Sequence, residues 1–196
     1  MSLRRRLLPM VAIAALLGGA LWSAAPAWGG VQCFGQAATR SYRDGTLGGH
    51  QTFLGTPGSD VIVILASTPS RQSYTSHDVD GRAGNDRICD KANGAGSGGE
   101  IRGGDGHDRL IANIRKAMYG QDGDDVVKGS FASEIVDGGA GHDKLYGRAG
   151  SGDGIYGRGG NDYLNGGSDG GFLDGGPGTD TCVNEGVGGS RTSCES

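Results

Sequence analysis

A nine-residue pattern, G-G-x-G-x-D-x-U-x with U a large apolar residue, recurs along this chain and constrains its fold more than any other feature. Residues Gly103-Gly104-Asp105-Gly106-His107-Asp108-Arg109-Leu110-Ile111 carry it, and Gly138 to Tyr146 and Gly175 to Val183 match it fully. Gly81 to Cys89, Gly120 to Lys128 and Gly157 to Asn165 lose only the second glycine. Apolar residues keep a fixed offset from the turns: Leu110, Val127, Leu145, Ile155, Leu164 and Leu173, with spacings of ten, nine and nine from Leu145 and nine again to Cys182. With 42 glycines in 196 residues and no triplet period, composition alone would suit a disordered tract. A disordered tract has no reason to hold that phase.

Each half of the repeat has a physical task. G-G-x-G-x-D turns the chain, because glycine accepts positive φ and lets backbones approach closely. The x-U-x that follows is a short strand whose middle residue points inward. One strand buries one side chain, so stability must come from stacking many coils. At about 25 cal/mol per Å² such a thin core offsets little of the ordering cost of so many glycines. A ligand that binds only the folded chain would supply the remainder. Nonapeptides of this kind mark a parallel β-helix that folds around calcium. The fold class expected is therefore all-β, a parallel β-roll (a right-handed β-helix of nonapeptide repeats) with disulfide-closed ends.

If one coil is two nonapeptides, every second turn lies on the same edge. Turns starting at Gly103, Gly120, Gly138, Gly157 and Gly175 are separated by 17, 18, 19 and 18 residues, one coil each time. All carry an aspartate at the sixth position: Asp108, Asp125, Asp143, Asp162 and Asp180. The facing edge is poorer. Gly99 and Gly171 stand where Asp is wanted, with Asp169 two residues before Gly171; Ala112 to Tyr119 has no glycine; Ser133 takes one Asp place with Glu134 just after it; and an extra residue shifts another acid to Asp153. This predicts a one-sided ladder of up to four good calcium sites in the gaps between five loops. Each would take two aspartates from adjacent loops plus backbone carbonyls, with Gly103, Gly106, Gly120, Gly138, Gly157 and Gly175 shaping the turns. Calcium accepts six to eight oxygens in loose geometry, whereas magnesium demands a tighter octahedron. The competing reading is that the aspartates only close their own turns by side-chain-to-backbone bonds.

These residues resemble the RTX-type calcium-binding repeats, which form a parallel β-roll. The resemblance covers about Gly81 to Val183, with an outlying copy at Gly55-Thr56-Pro57-Gly58-Ser59-Asp60-Val61-Ile62-Val63. It implies Ca2+ held between successive same-edge loops by Asp108, Asp125, Asp143, Asp162 and Asp180. Asp86 joins them less securely, because it lies 22 residues before Asp108. It also implies a chain that is often disordered without calcium. The organisation expected is a signal peptide (1–27), an N-terminal cap segment (28–80) containing the outlying repeat, the β-roll (81–183) and a C-terminal cap (184–196). The layout is similar to that of small exported bacterial repeat proteins with cysteine-closed ends.

Arg4 to Arg6, the apolar run Leu7 to Leu21 and Ala25-Pro26-Ala27 have the form of a secretory signal peptide. Cleavage after Ala27 would leave 169 residues and take the formal charge from -4 to -7. The acids are 18 Asp against 4 Glu, a bias toward the short carboxylate that tight turns and oxygen cages want. An acidic chain with no basic cluster after the leader gives nucleic acid nothing to bind. Cys33, Cys89, Cys182 and Cys194 allow three disulfide connectivities. Pairing Cys182 with Cys194 and Cys33 with Cys89 is favoured, because it staples each end of the array. No cysteine or histidine spacing suits zinc.

A catalytic constellation is not expected. H-E-x-x-H and G-x-S-x-G are absent, and Ala95 to Gly99 is only a near miss of the second. His107 and His142 fill the variable fifth position of their turns and read as exposed loop histidines. Tyr146, Tyr156 and Tyr163 flank inward positions, either covering a sheet face or forming an aromatic face for a glycan. The reading is a non-enzymatic exported calcium binder, and a calcium-dependent surface adhesion or polysaccharide-binding module is its alternative.

Overall fold

The computed structural model describes residues 32–43, 50–65, 76–92, 98–113, 116–129, 135–147, 154–168, 170–186 and 188–195. The leader expected at 1–27 lies outside them, as do Ser133, Glu134, Asp153 and Asp169. In chain order the strands are β1 (Gln32–Cys33), β2 (Gln36–Ala37), β3 (Arg40–Arg43), β4 (Gln51–Leu54), β5 (Val61–Leu65), β6 (His77–Ala83), β7 (Arg87–Lys91), β8 (Glu100–Asp105) and β9 (Arg109–Ala112). They continue as β10 (Ala117–Asp122), β11 (Val126–Lys128), β12 (Ile135–Ala140), β13 (Lys144–Tyr146), β14 (Gly154–Gly159), β15 (Tyr163–Asn165), β16 (Phe172–Asp174), β17 (Thr181–Val183) and β18 (Ser190–Thr192).

Strands alternate between two eight-stranded sheets, the odd strands β3 to β17 in one and the even strands β4 to β18 in the other. Neighbours within each sheet are parallel, whereas β1 and β2 form an antiparallel hairpin. The chain therefore winds as a parallel β-solenoid. Register follows the repeat: Leu110, Val127, Leu145, Leu164 and Cys182 stack in one column. Val79, Ile101, Met118, Val136, Ile155 and Leu173 stack in the facing one. All are at most 1% exposed and form one continuous core. A strand of three residues buries only its middle one, as the pleat requires.

The sheets begin at Arg40 and end at Thr192, so stacked coils extend on both sides of residues 81–183. The outlying copy is in register, with Val61 to Leu65 paired to Arg87 to Lys91. At the first coil Tyr42 stacks on Phe53, ring centroids 4.5 Å apart, and covers the open end of the core. At the last coil Arg191 pairs with Leu173 in register and donates from its guanidinium to the Cys182 carbonyl at 2.9 Å. Disulfides join Cys33 to Cys89 and Cys182 to Cys194, the favoured pairing. The first lies in a second apolar cluster with Val61 and Val63, where the N-terminal hairpin covers the outer face of the odd sheet.

Candidate metal centre

Each intact turn leads from an even strand into an odd one and places its aspartate two residues before an inward side chain. Stacking puts these aspartates in a column. The backbone N–H of Asp86 donates to Oδ1 of Asp108 at 2.7 Å, and that of Asp108 to Oδ1 of Asp125 at 2.7 Å. Asp125 donates likewise to Asp143, Asp143 to Asp162 and Asp162 to Asp180, each at 2.8 Å. Asp60 begins the column by donating to Asp86 at 2.7 Å. Asp180 ends it by donating to the Glu195 carboxylate. One carboxylate oxygen therefore ties each coil to the coil before it, instead of closing its own turn.

The second oxygen is different. Oδ2 of Asp86, Asp108, Asp125, Asp143, Asp162 and Asp180 is buried without a hydrogen-bond partner. A buried unpaired carboxylate oxygen is among the costliest groups a fold can hold. Each aims at a space opened by the first glycine of its turn. A Cβ at Gly120 would stand 2.2 Å from Asp125 Oδ2 and 2.5 Å from the Gly138 carbonyl oxygen. At Gly157 it would stand 2.4 Å from Asp162 Oδ2 and 2.5 Å from the Gly175 oxygen. Gly81, Gly103 and Gly138 repeat the arrangement with Asp86, Asp108 and Asp143 and the carbonyls of Gly103, Gly120 and Gly157. These glycines open the cradle by lacking a side chain; their φ is not positive. Gly106 has another task. Its φ is +127°, and a Cβ there would meet the Gly84 oxygen at 2.3 Å, on the backbone stack away from the cradle.

The orphaned oxygens and the carbonyls beside them fit a hard divalent cation, whose oxygen ligands stand at about 2.3–2.6 Å. Among the described residues no group of three or more His, Cys, Asp and Glu side chains gathers at one point, which leaves no set of ligands for structural zinc. Burial pushes Asp86 and Asp143 up to about 7, Asp108 to about 6 and Asp125 to about 8. For Asp125 the charges of Asp108, Asp143 and Asp124 add to that burial. Asp162 is raised for the same leading reason, with Asp180 adding to it. A column of carboxylates spaced one coil apart resists ionising without positive charge between its members.

Asp60 shows the alternative. Its Oδ2 accepts the Thr56 N–H at 2.6 Å and the Thr56 hydroxyl at 2.8 Å, within its own turn. Its Oδ1 takes the Thr39 hydroxyl at 3.1 Å and the Arg40 guanidinium at 3.2 Å. Burial opposes ionisation of Asp60, but the Thr56 and Thr39 bonds and the Arg40 charge outweigh it and hold the carboxyl below the usual range. The turn-closing reading holds for this aspartate, and the ladder starts on it with all its demands met by protein.

Sequence reasoning missed a second ladder. The fifth-position residues hydrogen-bond in the opposite direction: Asn85 N–H to Ser59 Oγ at 3.0 Å, His107 N–H to Asn85 Oδ1 at 2.9 Å and Asp124 N–H to His107 Nδ1 at 2.8 Å. His142 N–H then donates to Asp124 Oδ1 at 2.8 Å, Asn161 N–H to His142 Nδ1 at 2.7 Å and Thr179 N–H to Asn161 Oδ1 at 3.0 Å. His107 and His142 are thus acceptors in a structural stack. The signal was present, because that position holds only Ser, Asn, His, Asp and Thr.

On the facing edge, His77 and Lys116 stand two residues before Val79 and Met118, where the intact edge has aspartate. His77 Nε2 meets Asp90 Oδ2 at 2.8 Å, and Lys116 Nζ lies 3.7 Å from the same oxygen. The Lys116 ammonium also donates to the carbonyls of His77 and Gly98. All three side chains are at most 3% exposed. Here an ammonium sits among carbonyl and carboxylate oxygens. The three tyrosines do not share a face: Tyr146 and Tyr163 meet at 5.8 Å on the odd sheet, whereas Tyr156 lies on the even sheet against Phe172 at 5.8 Å.

The family model for the RTX calcium-binding nonapeptide repeat matches residues 119–153 and 152–173. No curated protein and no solved structure matches the chain. The matched stretch holds Asp125, Asp143 and Asp162, the middle of the column, and unbroken register carries the same geometry to either side. Over residues 119–173 the chain is thus similar to the RTX calcium-binding nonapeptide repeat.

Proposed function

We propose that this is an exported, non-enzymatic calcium-binding solenoid that folds or rigidifies when calcium enters the column. Five cradles closed by repeat glycines would hold the ions, at Asp86, Asp108, Asp125, Asp143 and Asp162. The observation that carries the reading is the buried, unpartnered Oδ2 in each of them beside a carbonyl of the next coil. Calcium supplies the positive charge that lets these carboxylates ionise in place. The chain's own residues supply the spacing, exclude water and hold Oδ1 in the coil-to-coil bond. An ion that binds only the stacked form stabilises it by mass action. The leader-like sequence at 1–27 and the two disulfides support export to an oxidising compartment.

The test is far-UV circular dichroism titrated with calcium and then a chelator, beside calorimetry. A chain with unchanged spectrum and no heat of binding would sink the proposal. Asp143→Ala should remove at least one calcium equivalent, while Asp169→Ala, which the repeat spacing puts outside the aspartate ladder, should leave the stoichiometry unchanged. Equal losses would refute the one-edge reading.

A second reading is a calcium-dependent module for surface polysaccharide. The outer face of the even sheet favours it, with Ile135 45% and Phe172 37% exposed beside Tyr156. The Arg158 guanidinium lies 4.9 Å over the Tyr156 ring and pairs with Asp137 at 2.7 Å. Aromatic faces rimmed by such polar groups suit sugar rings. Pull-down on cell-wall polysaccharide with and without calcium decides it, and Phe172→Ser should abolish any capture.

A further inference from the structure

The last aspartate of the column has no repeat turn beyond it, yet its cradle is closed. Asp180 is 1% exposed, and its Oδ2 is buried without a partner. A Cβ at Gly175 would stand 2.4 Å from that oxygen and 2.1 Å from the carbonyl oxygen of Ser193. In the five preceding coils the corresponding carbonyl belongs to the first glycine of the next turn. Ser193 takes that place because β18 pairs Thr192 with Asp174, which sets the next residue beside Gly175. Its φ of 51°, left-handed for a serine, turns the chain there. Two residues on, the Glu195 carboxylate accepts the Asp180 N–H, the bond that the next aspartate accepts in every other coil. The Glu195 N–H donates back to the Asp180 carbonyl at 2.9 Å.

Ser193 and Glu195 flank Cys194, which is bonded to Cys182, the inward residue of β17. The disulfide therefore anchors both cap residues over the last cradle. Neither has the nonapeptide form. Glutamate, one methylene longer than aspartate, spans from a cap that has no G-G-x-G-x-D turn.

We propose that the C-terminal cap builds a terminal calcium site from Asp180 Oδ2, the Ser193 carbonyl and the Glu195 carboxylate, and that the Cys182–Cys194 disulfide holds it together. The site rests on the calcium reading of the column and adds one ion to the five between repeat turns. At the opposite end Thr56, Thr39 and Arg40 satisfy Asp60 without an ion, so the column ends differently at its two termini.

Calorimetric titration of the oxidised protein with calcium tests this. Glu195→Gln keeps an acceptor for the Asp180 N–H and removes the charge, and should lose one equivalent with the others retained. Asp180→Asn should lose the same equivalent, and Glu195→Gln with Asp180→Asn no more than either alone. The double substitution Cys182→Ser with Cys194→Ser should also lose it. Full stoichiometry in Glu195→Gln and in the double serine variant would overturn the terminal site while leaving the column intact. Wild-type protein that binds no calcium would instead sink the underlying reading. Should the serine variant fail to fold, Glu195→Gln decides alone.

Discussion

A methyl group at Gly120 would stand between Asp125 Oδ2 and the Gly138 carbonyl, closer to both than any real Cβ approaches an oxygen. Gly120→Ala should therefore abolish one calcium equivalent, read by calorimetry. Gly104 fails for a different reason. Its φ is +116°, where side chains are strained, and a Cβ there would meet the Arg82 carbonyl oxygen at 1.8 Å. Gly104→Ala should destabilise the fold by roughly 1–3 kcal/mol through backbone strain and displaced packing, read as a lower melting temperature in calcium and in chelator alike. The second turn position is left-handed even where glycine is missing, at Arg82, Gln121 and Arg158, with φ of 79°, 81° and 76°. Gln121→Gly should thus leave stability unchanged or raise it by up to about 1 kcal/mol, because relief of αL strain opposes the entropy glycine adds to the unfolded chain. A clear loss of melting temperature in Gln121→Gly would show that the glutamine is held by more than backbone preference.

At the scale of the turn, two ladders run in opposite directions. Aspartate Oδ1 accepts from the coil before, and the fifth-position side chain accepts from the coil after. Each turn is gripped from both sides, which fixes register where strands of three residues would do so weakly. Asn161→Ala removes the acceptor of the Thr179 N–H and should cost about 1 kcal/mol, whereas Asn161→Asp should be near neutral. On the facing edge, Lys116→Met leaves the buried Asp90 without its ammonium and should cost about 3–5 kcal/mol in thermal or denaturant unfolding. The aspartate column and the inward residues were legible because strict phase maps directly onto stacking. Asp86 was harder to place, since an insertion before Asp108 breaks the spacing but leaves the pairing of Arg87 with Arg109 intact. His77 and Lys116 were not legible as ladder positions, because on that edge strand register defines the place and no turn motif marks it. Ser193 and Glu195 were hidden for a similar reason: the cap reproduces the oxygens of a turn without its sequence.

For the whole molecule, the narrow core and the charged column make stability depend on pH in a direction opposite to that of most acidic proteins. Without a cation, burial holds Asp86, Asp108, Asp125 and Asp143 at about 6 to 8 in the fold. In the unfolded chain an aspartate titrates near 3.9. Between those values the folded state binds more protons, so the stabilisation from protonation is complete below the unfolded value and is lost as pH rises through about 6 to 8. Asp60, held low by Thr56, Thr39 and Arg40, works the other way and weakens the first coil only on acidification. The four raised groups outnumber it, so in chelator the melting temperature should fall from pH 5 to pH 8. Excess calcium should remove that fall, because the ion takes the place of the protons. Calcium affinity should rise over the same range, and binding at pH 7 should release protons, seen as a heat that varies with the ionisation enthalpy of the buffer. A melting temperature in chelator that rises between pH 5 and pH 8 would mean that the column does not hold protons when empty of calcium, and that its orphaned oxygens are satisfied by water.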